Sequence, residues 1–322
     1  MTGYPWHQPL WQQFINVWQQ QRLPHAILMT GPKGLAKTAL ALQMAKYSLC
    51  LGPAANDACG QCHSCELFSA GAHPDHLLIE PEEGENAVKI HQIRALIEKQ
   101  SLTPNISAWK TVVIHPAHKM THNAGNSLLK LLEEPPAKTL FILVSSQPQQ
   151  LPITIRSRCQ LWPMSAPDMT QAGIWLKQQG ATISDRQLQQ LAPLAKNAPL
   201  MLKQMLAEGY DGLCEQLQAD LQLLRQGRAN PVQMAASWQQ HDLLTIMHIL
   251  QYDLKSQLIK QPDTAETVML WQIMDCIQAT IKLVSSSNNY NKTLLIGDFM
   301  VSVMQIYRTG HSGSAPLSRV SL

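Results

Sequence analysis

The sequence predicts an α/β domain built on a parallel sheet, followed by two all-helical domains. Short apolar strands alternate with helical segments between Ala26 and Trp162, and a glycine-containing loop typical of phosphate binding follows the first strand. Strands that are apolar throughout belong to parallel sheets covered on both faces. Beyond this region the strand pattern stops and helical periodicity continues. We expect domain boundaries that give residues 1–165, 166–208 and 209–322.

Five strands are predicted, each a short apolar run. They lie at residues 26–30, 76–80, 111–114, 139–144 and 159–162. Apolar side chains at helical spacing predict the helices of the same region. These lie at residues 37–49, 88–99 and 123–134, followed by short helices at 168–179, 185–194 and 199–207. From residue 211 onward the pattern is helical in broken segments, and the last helix is predicted at 292–307.

The composition bounds the class of protein. Hydrophobic residues make up 45% of the 322 residues and charged residues 15%, which suits several packed cores and excludes a disordered chain. The apolar runs are far shorter than the roughly 20 residues of a membrane helix, and the first ten residues lack the features of a secretory signal. We therefore expect a cytoplasmic protein. A net charge of +3 is weak for a stand-alone nucleic-acid-binding protein, so any DNA contact is expected to be local or shared with partners.

Residues 31–38 read GPKGLAKT and stand between the first strand and the first long helix, the context that a phosphate loop requires. Gly31, Lys37 and Thr38 occupy their pattern positions, so Lys37 would reach the phosphates and Thr38 a bound Mg²⁺. Gly34, inside the loop, is the fourth candidate binding residue. Ala36 stands where the pattern has glycine, and its β-carbon can block the approach of the phosphates. Two interpretations stay open: a loop that binds nucleotide, and a loop that only keeps the turn.

ATP hydrolysis also needs an acidic residue at the end of a neighbouring strand. The third strand instead runs into His115 and Pro116, neither of which supplies a carboxylate's charge. Glu133 and Glu134 close the helix at 123–134, where a solvated helix end is the simpler interpretation. We expect little or no ATP turnover even if nucleotide binds.

Four cysteines follow the first long helix at a spacing that allows a tetrahedral thiolate site. The cluster consists of Cys50, Cys59, Cys62 and Cys65. Four thiolates leave no position for water, so a structural zinc ion is favoured; an iron–sulfur cluster and free thiols are the alternatives. His63 and His73 lie nearby and are expected to be bystanders.

Arg158 stands just before the last strand, at an edge of the predicted sheet. One interpretation is an ordinary surface arginine. The other is an arginine finger, which reaches into the nucleotide site of a neighbouring subunit and accelerates phosphoryl transfer there.

Several of these motifs occur in one order in a known family. Residues 23–26 (LPHA), the phosphate loop, the cysteine cluster, residues 126–136 (NSLLKLLEEPP) and residues 157–159 (SRC) resemble the clamp-loader subunits of bacterial DNA polymerase III. Residues 4–6 also match. The resemblance covers about residues 4 to 160, with a weaker match at 291–299.

The resemblance implies an AAA+ domain with an inserted zinc module at residues 50–65, a helical lid domain and a helical collar domain. Family members form a ring that uses ATP to open a sliding clamp and load it onto primed DNA, as part of a DNA-directed DNA polymerase, a nucleotidyltransferase holoenzyme. Ala36, His115-Pro116 and the absence of arginine at 195–199 match the family's rigid, stator-like and non-hydrolysing member. That member contacts the delta and gamma/tau subunits, and Arg158 would act on the neighbouring ATPase.

Two other functions remain possible from the sequence. An active gamma/tau-like ATPase is disfavoured by the missing carboxylates and by the lack of long C-terminal extensions. A zinc-dependent DNA-binding regulator predicts tight, salt-dependent DNA binding, which the near-neutral charge disfavours.

Overall fold

The computed structural model describes residues 3–100, 103–228, 230–260, 265–286 and 291–310. The chain divides into two compact units, each described below by itself. The first unit comprises Met1–Ala181 and Lys196–Leu202, and the second comprises Thr182–Ala195 and Lys203–Leu322. The division into three domains stays a prediction, and residues 311–322 of the predicted collar lie outside the described ranges.

A five-stranded parallel sheet forms the centre of the first unit. The strands are β1 (Ala26–Thr30), β2 (His76–Ile79), β3 (Lys110–Ile114), β4 (Thr139–Ser145) and β5 (Gln160–Pro163). Their order across the sheet is β2-β3-β4-β1-β5, and every neighbouring pair is parallel. The three central strands are buried along their whole length, whereas the edge strands β2 and β5 are partly exposed. This difference follows from the order, because an edge strand has a neighbour on one side only.

Within the described residues, seven helices of the first unit surround the sheet or extend from it. They are α1 (Gln8–Gln19), α2 (Lys37–Leu49), α3 (His63–Ser69), α4 (Ile90–Gln100), α5 (His122–Glu133), α6 (Ile153–Arg156) and α7 (Met169–Gln178). The side chains of Thr121 and Asp168 accept backbone N–H groups and so cap α5 and α7 at their first turns.

The second unit is entirely helical in its described part. Its helices are α8 (Asp185–Leu194), the C-terminal part of α9 (Pro199–Ala207), α10 (Tyr210–Arg225), α11 (Pro231–Trp238), α12 (Leu243–Lys260), α13 (Ala265–Ser286) and α14 (Lys292–Gly310). Ser184 and Gln187 form a reciprocal capping box at the start of α8. Trp238 is fully buried, and its indole N–H donates to the Asp220 carboxylate at 2.8 Å.

The predicted parallel α/β class is confirmed, and so are all five predicted strands, each to within one residue at either end. Helices α1, α3 and α6 were not predicted. Helices α3 and α6 are only 7 and 4 residues long, too short for a periodic pattern to stand out. No helix within the described ranges is both long and apolar enough to cross a membrane. The cytoplasmic location stays a prediction.

Candidate functional site

The loop between β1 and α2 keeps the backbone of a phosphate loop, but its glycines lie against the protein's own chain. Gly31 (φ +142°) and Gly34 (φ +88°) have left-handed backbones. A β-carbon on Gly31 would clash with the carbonyl oxygen of Met164, and one on Gly34 would lie 2.7 Å from the backbone nitrogen of Met201. Close packing within the unit therefore already requires both glycines, whether or not a phosphate binds.

Ala36 keeps the left-handed conformation that suits the glycine of the pattern. Its backbone has φ 54° and ψ 36°, at the position just before α2 begins. A non-glycine residue pays roughly 1–2 kcal/mol for this conformation. The loop thus retains its shape even though the residue that makes the shape easy is missing.

Lys37 is directed back onto its own loop. Its side chain is buried, and Nζ donates to the carbonyl oxygen of Pro32 at 2.6 Å. Burial lowers the pKa of Lys37 to about 8. Within the part of the chain that the structure describes, Lys37 forms no ion pair with a carboxylate. Thr38 follows it, half-buried, in the first turn of α2.

Other carbonyl groups of the loop are also bonded to the chain itself. The indole N–H of Trp6 and Nε2 of His7 both donate to the carbonyl oxygen of Leu35, at 3.0 and 2.8 Å. The backbone N–H of Leu200 donates to the carbonyl of Gly34 at 3.2 Å. The N-terminal segment and the start of α9 therefore hold the loop in place through hydrogen bonds.

The carboxyl edge of the sheet carries polar residues beside this loop. As predicted, His115 follows β3, and its Nδ1 lies 3.3 Å from a carboxylate oxygen of Glu80, which follows β2. His118 lies 3.1 Å from the hydroxyl of Ser145, the last residue of β4. Burial lowers the pKa of His118, with smaller contributions from the charges of Lys119, His115 and Lys37.

Glu80, His118 and Ser145 were not predicted as site residues. A usable signal existed for two of them, because Glu80 and Ser145 stand at the ends of predicted strands, and all carboxyl ends of a parallel sheet meet at one edge. His118 carried no such signal, since it belongs to a short turn at Ala117–Lys119 whose position depends on the fold.

The four predicted metal-binding cysteines come together. All sulfur atoms of Cys50, Cys59, Cys62 and Cys65 lie within 4.8 Å of one another, and the sulfurs of Cys50 and Cys62 are 3.9 Å apart. Tetrahedral zinc with Zn–S bonds of about 2.3 Å requires sulfurs roughly 3.8 Å apart. The donor set therefore fits a closed, structural zinc site.

The cysteines differ in how easily they form thiolates. Burial disfavours the thiolate of Cys62, but hydrogen bonds from backbone groups of Leu51 and Cys65 and from neighbouring cysteines outweigh it and lower its pKa to about 6. Burial raises the pKa of Cys65 to about 12. A bound cation would favour the thiolate form of each.

Two buried serines, Ser64 and Ser107, form hydrogen bonds beside the cysteine site. Cys50 follows Leu49, and the carbonyl oxygen of Leu49 accepts hydrogen bonds from the hydroxyls of Ser64 and Ser107, each at 2.6 Å. Ser64 directly precedes Cys65. The two ends of the cluster are thus connected by one buried hydrogen bond, and Ser107 connects them to a segment more than 40 residues away.

His73 belongs to this buried network and not to the metal cluster, as predicted from the sequence. Its Nδ1 accepts the backbone N–H of Asp75 at 3.0 Å, so Nε2 carries the proton and lies 2.8 Å from the Ser64 hydroxyl. With this tautomer, His73 cannot take a proton from Ser64, which excludes a serine nucleophile at this place. The Asp75 carboxylate accepts the backbone N–H groups of Asn105, Ile106 and Ser107.

Arg158 lies at the amino end of the sheet's strands, whereas the phosphate loop lies at their carboxyl end. It precedes β5, an edge strand as expected, whereas the loop follows β1, the parallel neighbour of β5. At about 3.3 Å per residue, β5 itself spans roughly 10 Å from Gln160, two residues after Arg158, to Pro163, which pairs with Thr30. The predicted phosphate-loop residues and Arg158 therefore do not form one site within this chain.

The Arg158 side chain, 36% exposed, is held by two neighbouring elements. Its guanidinium donates to the carbonyl oxygen of Thr154 at 3.0 Å and pairs with the Glu133 carboxylate at 2.8 Å. Glu133 ends α5, as predicted, and is half exposed. Its pairing with Arg158 was not predictable from the sequence, because the two residues are 25 positions apart and strand β4 lies between them.

The parallel sheet with a phosphate loop after β1 defines the P-loop type of α/β domain that the sequence predicted. The family described as "DNA polymerase III, delta subunit" matches residues 6–168. The chain is 36% identical to DNA polymerase III subunit delta' of Pseudomonas aeruginosa, over 73% of this chain and 71% of that protein. The chain belongs to the delta-prime family of DNA polymerase III subunits.

Two further relatives extend the comparison. DNA polymerase III subunit delta' of Escherichia coli is 35% identical over 62% of this chain and 59% of that protein. DNA polymerase III subunit tau/gamma of Haemophilus influenzae is 33% identical over 48% of this chain, but only 22% of that protein is covered. The matches to these two delta' relatives thus extend over more of both chains than the match to tau/gamma.

Proposed function

We propose that this chain is a clamp-loader subunit that does not hydrolyse ATP itself and that supplies Arg158 to the ATP site of a neighbouring subunit. The carrying observation is the position of Arg158. It is a partly exposed cation at the amino edge of the sheet, whereas the chain's own phosphate loop follows the carboxyl end of β1. A phosphate that Arg158 reaches would therefore belong to another chain.

The phosphate loop supports the non-hydrolysing part of the proposal. Hydrolysis requires a cation free to reach the phosphates and a carboxylate to hold Mg²⁺. Lys37 instead donates to the carbonyl of Pro32, and His115 stands where the carboxylate is needed. Glu80, the nearby acid, lies against His115 and one strand farther from the loop, since β3 and β4 separate β2 from β1. Nucleotide binding, if any, would be weak.

The proposed partners follow from the family and from the exposed arginine. An arginine finger needs a neighbour with a complete ATP site, and we assign this role to a gamma/tau subunit, with a delta subunit as the other neighbour. The similarity to a tau/gamma protein supports a shared fold between the two kinds of chain. Through the assembled ring, the chain would help to load the sliding clamp onto primed DNA during replication.

Zinc is proposed as the resident metal of the cysteine module. Cys50, Cys59, Cys62 and Cys65 would hold it, and it would supply cross-linking of the segment between α2 and α3, not catalysis. The role is structural because four thiolates complete the coordination shell.

The experiment is to replace Arg158 by alanine in an assembly reconstituted with the delta and gamma/tau subunits. We expect the ring to form normally and its clamp- and DNA-stimulated ATP turnover to fall, with a loss on the order of 10³-fold at the site that the finger serves. Arg156→Ala is the matched control, since Arg156 is an exposed arginine two residues away. Equal turnover in the wild-type and Arg158→Ala assemblies would rule out the finger.

A further inference from the structure

The guanidinium of Arg158 is engaged inside its own chain, although an arginine finger must face a partner. One terminal nitrogen donates to the carbonyl oxygen of Thr154 at 3.0 Å, and the other lies 2.8 Å from Oε1 of Glu133. Both guanidinium ends are thus directed towards the last residue of α5 and the helical turn of α6. In this position the charge of Arg158 is neutralised by a carboxylate of the same protein.

The ion pair between Arg158 and Glu133 is strong enough to favour one position of the arginine side chain. It is also weak enough for another anion to displace the Glu133 carboxylate. Both partners are well exposed, at 36% and 50%. Exposed ion pairs of this kind shift an equilibrium by roughly 1.4- to fivefold and are screened by salt. A triphosphate offers several negative charges and bidentate acceptor geometry to an arginine, so it can outcompete a single carboxylate.

We propose that Glu133 is a positioning residue that restrains Arg158 in the free subunit and gives it up when a neighbouring subunit presents ATP. This inference rests on the proposed arginine-finger function. The proposal adds a regulatory step to that function. The guanidinium of Arg158 stays paired with Glu133 until the phosphates of ATP on a neighbouring subunit replace the carboxylate. The chain supplies a matched control, because Glu134 is an equally charged, exposed neighbour that, among the described residues, forms no ion pair with Arg158.

The first measurement uses the isolated chain and needs no ATPase. Phenylglyoxal modifies free guanidinium groups, and mass spectrometry reports the rate at Arg158. We expect Glu133→Gln to raise this rate two- to fivefold at low salt, and the difference to shrink at high ionic strength because the pair is screened. Glu134→Gln should leave the rate unchanged. Circular dichroism checks that both variants are folded, and equal rates for Glu133→Gln and wild type would overturn the restraint.

The second measurement uses the reconstituted assembly. It distinguishes whether Glu133 holds Arg158 back from the neighbouring ATP site or helps Arg158 to act there. If Glu133 holds Arg158 back, Glu133→Gln lowers the concentration of this subunit that half-activates partner turnover by two- to fivefold and leaves the maximal rate unchanged. A lower maximal rate would mean that Glu133 supports the finger, which contradicts the proposal. The failure of the finger itself is distinguishable, because only that failure leaves turnover unchanged in Arg158→Ala. An unchanged modification rate in Glu133→Gln leaves the finger intact and removes only the restraint.

Discussion

The two ends of helix α2 carry two different sequence motifs for ligand binding, and their side chains are engaged in different ways. At its N-terminus lies the phosphate loop, whose glycines pack against Met164 and Met201 and whose lysine donates to the carbonyl of Pro32. At its C-terminus begins the cysteine cluster, in which four sulfurs come within 4.8 Å of one another. The lysine and the carbonyls of the loop bond to the protein's own chain, whereas the four cysteine sulfurs come together as one candidate donor set for a metal ion.

The difference follows from the chemistry of the groups. The ammonium group of Lys37 can donate to a carbonyl of its own loop instead of a phosphate, and the loop carbonyls accept hydrogen bonds from the rest of the unit, so a phosphate loop keeps its shape without nucleotide. Four thiols have no comparable alternative, because sulfur is a weak hydrogen-bond partner and clustered thiolates repel each other. We therefore expect the cysteine end of α2 to depend on its ligand and the loop end to be independent of one.

The largest expected effect is that of metal removal. The purified chain should contain about one zinc ion, and a strong chelator should unfold the segment around Cys50–Cys65, because structural zinc contributes on the order of 10 kcal/mol locally. Hydrogen exchange should lose protection in α3 and keep it in β1. Addition of MgATP should leave exchange in the phosphate loop unchanged. A folded, metal-free preparation that a chelator does not affect would contradict the expectation that the cysteine end of α2 depends on a metal.

A smaller effect is expected at the loop end, from Lys37→Met. The pKa of Lys37 in the folded state is about 8, below its ordinary value of 10.5, so below pH 8 the buried charge destabilises the fold. Between these values the unfolded state binds more protons, and wild-type stability therefore rises with pH. Lys37→Met should be more stable than wild type by about 1–2 kcal/mol at pH 7, and the gap should narrow towards pH 10.

Urea unfolding at pH 7 and pH 9.5 measures this difference. Lys33→Met is the control, because Lys33 is an exposed lysine of the same loop and should change stability by less than about 0.5 kcal/mol at either pH. A Lys37→Met variant less stable than wild type at pH 7 would show that the bond to Pro32 outweighs desolvation.

The smallest expected effect concerns the hydrogen bonds from Ser64 and Ser107 to the carbonyl of Leu49, beside the cysteine cluster. Ser107→Ala removes one of two buried hydrogen bonds to the carbonyl of Leu49, worth about 0.5–1 kcal/mol. Zinc affinity, measured by competition with a chromophoric chelator, should weaken about two- to fivefold. Ser127→Ala removes an exposed serine bond to the carbonyl of Asn123 and should leave the affinity unchanged. Equal zinc affinities in Ser107→Ala and Ser127→Ala would show that the hydrogen bond from Ser107 to Leu49 does not contribute to metal binding.

Local chemistry was predictable wherever it was contiguous in sequence. The phosphate loop occupies eight consecutive residues and the cysteines sixteen, so their patterns are visible without a fold. The polar network of Ser64, His73 and Ser107 was not predictable, because a serine hydroxyl shows no preference for a carbonyl 58 residues away until the chain has folded. His73 could be set aside as a ligand, but its bonding partners could not be named.

The sequence by itself determined the parallel α/β class, the positions of all five strands, the four candidate ligands and the mismatch at Ala36 and His115. These features depend on local periodicity and residue type, which the chain order preserves. Only the tertiary structure decided the strand order, the packing of Met164 and Met201 over the loop, and the pairing of Glu133 with Arg158. Each of these joins residues distant in sequence, and such contacts are fixed by the packing of the whole unit and not by any one segment.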